Sequence, residues 1–250
     1  MIIDSDDIKL KILKNFLEIS VFEGWNDYAI ELAIKKTYPN QEVLPRQLPI
    51  IFEDGIYSLI SFVSKNRCET LAEICLKNPE FITLKLNQKI NFLIFSLLKI
   101  DENNKGAFKR LLNFYLIPQN PLNDINKCSL RPINQSFKEV YFVADYLWKL
   151  CNDSSTDYNF YTKRIILSKV LIRSFMFFLN DNSENNSNTQ KFIDKEIEKI
   201  LKFNAFKIKL KNNISEFSEK IDDIIYDSNH NVLDLKSMVK NLPFIRLFNK

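Results

Sequence analysis

Apolar residues recur at steps of three and four along most of the chain, which is the period of amphipathic α-helices. The first such segment contains Ile8, Ile12, Phe16 and Ile19, and acidic residues precede it at the end where the helix dipole favours negative charge. No segment shows a two-residue strand period. The pattern therefore predicts an all-α fold, with a second helix capped by Asn26 and later helices over about 53–76, 84–100, 107–115 and 137–150, and a last one ending at 179.

Glycine, proline and polar clusters interrupt these predicted helices. Gly24-Trp25 ends the first helix. Longer interruptions are predicted as a turn at 116–122, a loop at 123–132 and a polar linker without regular structure at 180–188. The chain is therefore predicted to consist of helices joined by short polar connections.

The order of the first elements, two helices, a turn, a short element and a long helix, resembles the amino-terminal part of tetracycline-repressor-like proteins. Pro45 and Pro49 fall where the DNA-reading helix of such proteins lies, and proline breaks a helix interior. Arg46 is the only basic residue between Pro39 and Lys65, so the positive patch that phosphate binding requires is missing. The sequence predicts no nucleic-acid binding, and a transcriptional regulator of this class is kept as the alternative function.

Composition excludes several classes of chemistry. The three glycines are too few and too scattered for a glycine-rich phosphate loop. The single histidine, His230, lies in a polar stretch and cannot form a histidine-rich metal site. The four cysteines contain no CxxC motif, which favours isolated thiols in a reducing compartment. The net charge of +4 does not by itself argue for nucleic-acid binding. No catalytic group, metal site or cofactor is predicted.

An amphipathic helix is predicted near the carboxyl end. At 100° per residue its apolar positions form one narrow stripe, and lysines flank the stripe on both sides. Such lysines reach anionic headgroups while the stripe enters the acyl boundary, so the segment is predicted to bind a membrane surface. A helix docked on its own domain and a short coiled coil fit the same pattern. The predicted membrane-binding residues are Phe203, Phe206, Leu210, Ile214 and Phe217 in the stripe, with Lys202, Lys207, Lys209 and Lys211 beside it.

One polar and aromatic string lies between two apolar helical segments. It runs from Asp153 to Arg164 and reads Asp-Ser-Ser-Thr-Asp-Tyr-Asn-Phe-Tyr-Thr-Lys-Arg. A helix start needs a cap, and residues 153–156 are predicted to supply it. Capping does not require Phe160, Tyr161 and Arg164 together, so a second role is predicted for the string.

This string resembles the signature of a ubiquinone-biosynthesis accessory family, coenzyme Q biosynthesis protein nine, whose form is G-D-x-S-T-D-F-N-W-Y-T-[KR]-R. The departures are Asn152 for Gly, Tyr158 for Phe and Phe160 for Trp. The resemblance extends over about residues 8–225. It includes Gly-Trp after the first helix, the Leu-rich turn near 116–120, Trp148, the Asp-x-Ser of 181–183 and the next helix start at 192–194.

The resemblance implies a tetracycline-repressor-like fold of about nine helices plus the carboxyl-terminal amphipathic helix, with DNA binding lost. It implies a homodimer, an internal apolar cavity that holds isoprenoid lipid, and no enzymatic activity. The implied role is to present ubiquinone precursors at the membrane surface to the di-iron hydroxylase that acts on demethoxyubiquinone. The implied divisions are a lipid-binding domain over 1–188, carboxyl-terminal helices over 189–226 and a tail over 227–250.

The implied location is the cytoplasmic side of a bacterial inner membrane, or the matrix face of a mitochondrial one if the chain is a processed eukaryotic protein. The acidic residues of the amino terminus are unlike the start of a signal or transit peptide. The most apolar run, 165–179, is interrupted by Lys169 and Arg173, so it is predicted to be an amphipathic helix and not a membrane span.

In that family the surface around the signature contacts the hydroxylase. The resemblance assigns this contact, position by position, to Asp145, Leu147, Trp148, Asp157, Phe160 and Tyr161. Each residue also has a purely structural interpretation, for which Asp157 is the clearest cap and Trp148 the clearest core residue. A second alternative is a lipid-modifying enzyme with Asp153, Asp157 and Tyr161 as acid–base groups.

Overall fold

Helices joined by turns make up the part of the chain that the computed structural model describes, which is residues 5–39, 48–116, 131–153 and 158–201. No strand occurs in these ranges, so the all-α prediction is confirmed there. The helices are α1 (Ser5–Glu23), α2 (Asp27–Thr37), α3 (Leu48–Ile51), α4 (Ile56–Leu76), α5 (Glu80–Thr83), α6 (Leu86–Ile100), α7 (Lys105–Leu116), α8 (Arg131–Leu150) and α9 (Tyr158–Phe178). Residues 187–201 are also helical and are called α10.

The first helix packs on α2 and on α7 around one tryptophan. Gly24 ends α1 with a φ of +79°, a left-handed conformation that glycine adopts without strain. Trp25 is then directed inward, where its Nε1 donates to the carbonyl of Ala107 at 2.8 Å. Its ring meets Phe16 edge-on at 5.0 Å between centroids. As predicted, Asn26 caps α2, and its Oδ1 accepts from the backbone N of Ala29 at 2.9 Å.

The third described element is α3, whose described residues are Leu48–Ile51. Pro45 and Arg46 lie outside the described residues. The long α4 follows after Gly55, whose φ is +53°. A Cβ at Gly55 would collide with the carboxylate of Asp27, which accepts from the backbone N of Ile56 at 2.7 Å. The Asp27 side chain of α2 therefore accepts a hydrogen bond from a backbone N–H group at the start of α4.

The larger helices form a second layer in which α4 packs on α6 and α8, α8 packs on α7 and α9, and α6 packs on α9. The described part of α8 begins at Arg131, so the helix includes at least six residues before the predicted 137. Cys68 and Cys75 are buried and unbridged, as predicted from their spacing on α4. Burial raises the pKa of the Cys68 thiol to about 12.

Contacts divide the chain into two units, Met1–Ile197 and Glu198–Lys250. All helices from α1 to α9 belong to the first unit. Of the second unit only residues 198–201 lie in the described part of the chain, and they are helical.

Candidate functional site

The Asp153–Arg164 string is organised around a buried arginine. Arg164 is 1 % exposed, although it belongs to the first half of α9. Its Nε donates to Asp145 Oδ1 at 2.6 Å, and its Nη1 donates to Asp153 Oδ2 at 3.2 Å and to the carbonyl of Phe160 at 3.0 Å. The guanidinium carbon lies 3.3 Å from the centroid of the Phe160 ring. Asp145, Asp153, Phe160, Lys163 and Arg164 are called the Arg164 cluster.

The end of α8 places Asp153 in this cluster. Asn152 has a φ of +58°, and its backbone N bonds to the carbonyl of Lys149 while the N of Asp153 bonds to that of Trp148. This is the Schellman arrangement, whose left-handed position favours glycine or asparagine. The departure of Asn152 from the family's glycine therefore preserves the turn.

The prediction that residues 153–156 cap the following helix stays a prediction, because residues 154–157 lie outside the described part of the chain. The carboxylate of Asp153 contacts two cations. Lys163 Nζ donates to Asp153 Oδ1 at 2.6 Å, in addition to the contact from Arg164. Asp153 thus ties α8 to α9, which argues against its predicted acid–base role. Residues 154–157, including the predicted cap Asp157, lie outside the described residues.

Asp145, on α8, is the second carboxylate of the cluster. Besides Arg164 it pairs with Lys149, one helical turn away, at 2.7 Å. Burial opposes its ionisation, but the hydrogen bonds and charges of Lys149 and Arg164 outweigh burial and hold the pKa of Asp145 below its usual value. Asp145 therefore stays charged at neutral pH and keeps Arg164 neutralised.

The structure separates the six predicted contact residues into different environments. Leu147 is fully buried and Trp148 is 8 % exposed, so neither side chain forms part of the predicted contact surface, because the helix directs both into the core. Phe160 is half-buried beneath the Arg164 guanidinium. Tyr161 is 61 % exposed and meets the Phe160 ring edge-on at 5.1 Å between centroids. Of the described members, Tyr161 is the one that offers a large free aromatic surface.

A cavity of about 350 Å³ lies between α4, α6, α7, α8 and α9. This volume falls at the lower end of the roughly 300–1,000 Å³ typical of small-molecule sites. Sixteen of the lining residues are apolar: Ile60, Val63, Leu97, Leu98, Phe108, Leu111, Leu112, Leu116, Ile133, Phe137, Val140, Val143, Leu171, Ile172, Phe175 and Met176. The cavity is suited to an apolar ligand, as the family resemblance implied.

The cavity wall also carries an arginine that the sequence analysis missed. Arg67, on α4, pairs with Asp101 at the end of α6, with 2.5 Å between Nη2 and Oδ2. Burial raises the pKa of Asp101 to about 6 against the opposing charge and hydrogen bond of Arg67. The available signal was a single arginine on the apolar face of a long helix, next to Cys68 and one turn from Val63 and Leu71.

The segment after α9 is a folded junction, so the predicted unstructured linker at 180–188 is wrong. The carboxylate of Asp181 accepts four hydrogen bonds of 2.6–2.9 Å from the backbone N and hydroxyl groups of Ser183 and Thr189. Lys105 Nζ donates to the carbonyl of Asp181 and to Asn186 Oδ1, both at 2.6 Å. Polar composition predicted a loop, but these side chains bond to the backbone and to each other.

Replacing Asp181 by Asn is expected to cost about 2 kcal/mol at neutral pH, because a carboxylate that accepts four hydrogen bonds is lost. Burial opposes the charge of Asp181, but the hydrogen bonds outweigh it and lower its pKa from 3.8 to about 2. This stability is present above pH 4 and is lost as the pH falls toward 2. Urea unfolding at pH 6 and pH 3 should show a smaller difference between wild type and variant at pH 3. Glu184→Gln, on the exposed side of the same segment, is the control, and an equal difference at both pH values would contradict this account.

Within the described ranges, no group of three His, Cys, Asp or Glu side chains is placed to hold a metal ion. None of the helices in these ranges is long and apolar enough to cross a membrane. The predicted membrane-binding residues, 202–217, lie outside the described residues, so that assignment stays a prediction.

Comparison with known proteins shows that this site lies in a region that matches a protein-family model. Residues 133–204 match the family model described as COQ9. This range contains nearly all of α8, the whole of α9 and the junction after it. It therefore contains the Arg164 cluster, Tyr161 and Asp181.

Curated relatives extend the similarity toward the amino terminus. The chain is 28 % identical over 218 residues to the probable ubiquinone biosynthesis protein coq9, mitochondrial, of Dictyostelium discoideum, which covers 84 % of this chain and 64 % of the relative. It is 25 % identical over 158 residues to the ubiquinone biosynthesis protein COQ9-A, mitochondrial, of Xenopus laevis, covering 60 % and 46 %. The chain thus spans less than two thirds of the length of these relatives. The resemblance to the COQ9 family is confirmed.

Proposed function

We propose that this chain is a non-catalytic, lipid-binding accessory protein of ubiquinone biosynthesis. The observation that carries the proposal is the apolar cavity enclosed by α4 and α6–α9, two of whose walls, α8 and α9, lie in the range that matches the COQ9 family. The names of the relatives support a role in ubiquinone biosynthesis. The cavity supports an apolar ligand, for which an isoprenoid quinone precursor is the member of that pathway with matching chemistry.

The proposed mechanism is extraction and presentation. The carboxyl-terminal stripe of 203–217 binds the membrane surface, the cavity takes the isoprenoid precursor, and the exposed aromatic surface at the start of α9 binds the di-iron demethoxyubiquinone hydroxylase. The protein works as a homodimer. The hydroxylase supplies the chemistry, so this chain requires no catalytic group. The mitochondrial relatives favour the mitochondrial matrix over the bacterial cytoplasm as its location.

Lipids that remain bound during purification test the first step. The full chain is purified from cells that make ubiquinone, and its extract is compared by mass spectrometry with that of an unrelated helical protein prepared in parallel. We expect an enrichment of isoprenoid quinones or their precursors at up to one molecule per chain. A lipid-free protein whose deletion leaves cellular ubiquinone unchanged would rule out the proposed function.

Replacing Tyr161 by Ala is expected to weaken binding of the hydroxylase about tenfold to thirtyfold. Exposed aromatic side chains dominate many protein interfaces, and truncation of one at the centre of an interface typically costs about 2 kcal/mol. Because Tyr161 is 61 % exposed, the fold itself should lose little stability. Affinity is measured by titration against the purified hydroxylase, and stability by thermal unfolding.

Tyr28 provides a matched control for this experiment. It is 58 % exposed on α2, far along the chain from the α9 surface. Tyr28→Ala should leave the affinity for the hydroxylase within twofold of wild type. Equal losses for both variants would show that the start of α9 has no special part in the contact.

A further inference from the structure

The cavity has an unusual distribution of polarity. Leu116, Phe137 and Met176 are exposed and line its opening with apolar surface. The charged Arg67 is only 15 % exposed in its side chain and lies among buried lining residues such as Leu98 and Phe108. The exposed lining residues are thus apolar, Ser136 and Glu139 are half-buried in the wall, and the nearly buried Arg67 supplies hydrogen-bond donors.

Arg67 has donor capacity left over inside the cavity wall. Its Nη2 contacts Asp101, but its Nε is buried and has no hydrogen-bond partner among the described residues. An unpaired buried donor costs about 1–3 kcal/mol, so a ligand atom that accepts from it recovers that cost. The rings of Phe108 and Phe175 lie 5.3 and 6.0 Å from the guanidinium carbon and form an aromatic surround.

We propose that the cavity takes its ligand head first, with an uncharged oxygen-bearing ring against Arg67 and the apolar chain leaving through the opening. This inference rests on the proposed lipid-binding function and specifies the class of head group and its orientation. An uncharged acceptor oxygen satisfies the free Nε. The flat ring packs on Phe108 and Phe175, and the chain lies against the apolar opening.

The charge balance at Arg67 selects an uncharged head over a carboxylate. Asp101 already neutralises the guanidinium at 2.5 Å. A fatty-acid carboxylate would bring a second negative charge next to Asp101 in a buried site, where like charges repel strongly. A quinone carbonyl or a phenol oxygen accepts the same hydrogen bond without that repulsion.

Arg67→Lys provides the test, because lysine keeps the positive charge for Asp101 but lacks the planar fork and the Nε donor. Three probes are titrated calorimetrically into the full chain after its own lipid is removed: a benzoquinone carrying two isoprene units, a hydrocarbon of the same isoprenoid length, and decanoate. The quinone is expected to bind wild type most tightly and to lose about fivefold to tenfold in affinity in Arg67→Lys. The hydrocarbon should bind both proteins within twofold of each other.

Each other outcome overturns the inference in a distinct way. Tighter binding of decanoate than of quinone refutes the uncharged head. Equal losses for quinone and hydrocarbon show that Arg67 only supports the fold, and no loss for either shows that the head does not reach it. In these cases lipid binding survives. If no probe binds wild type at all, the proposed function falls together with the inference.

Two further variants serve as controls for effects of the substitution on folding. Arg67→Met combined with Asp101→Asn removes the buried pair without leaving a lone charge, and replacing such pairs is often neutral for stability. It should show the same selective loss for the quinone. Arg110→Met removes an arginine of α7 that donates to the carbonyl of Val21, away from the cavity, and should change no affinity.

Discussion

Arg164→Met is expected to destabilise the protein by about 3–5 kcal/mol, the cost of removing one partner from a buried ionic network. Arg164 is 1 % exposed and contacts two carboxylates and one carbonyl. Methionine fills part of the volume but leaves these acceptors without their buried donor. The attraction between α8 and α9 is lost with them, because Asp145 and Asp153 belong to the end of α8 and Arg164 to α9. Urea unfolding monitored by far-UV circular dichroism measures the loss.

Lys149→Met is the matched control for Arg164→Met. Lys149 pairs with the same Asp145 at 2.7 Å, but its side chain is 67 % exposed. A solvent-exposed pair one helical turn apart contributes about 0.3–0.5 kcal/mol, so this variant should remain close to wild type. Comparable losses in the two variants would show that burial of Arg164 does not dominate the cluster.

Under the proposed lipid-binding function, Val140→Trp is expected to reduce the isoprenoid lipid that co-purifies with the protein by at least tenfold. Val140 lines the cavity from α8 and is itself only half-buried. An indole at this position extends into space that the ligand requires, and the void gives it room, so the usual penalty of overpacking a filled core does not apply in full. The bound lipid is quantified per mole of protein by mass spectrometry, with thermal unfolding as a check on the fold.

A tryptophan at the neighbouring Tyr141 is the control that distinguishes loss of lipid through filling of the cavity from loss of lipid caused by any new tryptophan on α8. Tyr141 is adjacent on α8 but is not part of the cavity lining. Tyr141→Trp should retain the wild-type amount of lipid. Retention of lipid by Val140→Trp at a wild-type level would place the ligand somewhere other than this cavity.

Periodicity predicted the helices well because each one buries a face, and burial selects apolar residues at a fixed spacing. The buried positions of α2, Ala29, Ile30, Ala33 and Ile34, are those that the spacing indicated. The same rule fails where polar groups fold against each other. The 180–188 segment has the composition of a loop, yet the Asp181 carboxylate organises it through four hydrogen bonds that no periodicity encodes.

The Asp153–Arg164 string was correctly connected with a family, but the sequence did not show that Arg164 is its buried centre. Tyr161 and Arg164 lie one turn apart on nearly the same face of α9, yet Tyr161 is exposed while Arg164 is buried against Asp145, Asp153 and the Phe160 ring. The direction of each face depends on where α8 packs, which is a tertiary property. For the same reason Leu147 was assigned to a contact surface although it is fully buried. The cavity also depends on five helices that are distant in sequence.

The burial of the Arg164 cluster affects how this signature should be used to infer function in other chains. Several of its described residues, among them Asp153, Lys163 and Arg164, are held by contacts within one chain. Selection for folding alone would preserve them after a partner had been lost. A chain can therefore match most of the signature and no longer bind the partner. Under the proposed function, the described position that discriminates between the two cases is the exposed Tyr161, and changes there deserve more weight than the overall match.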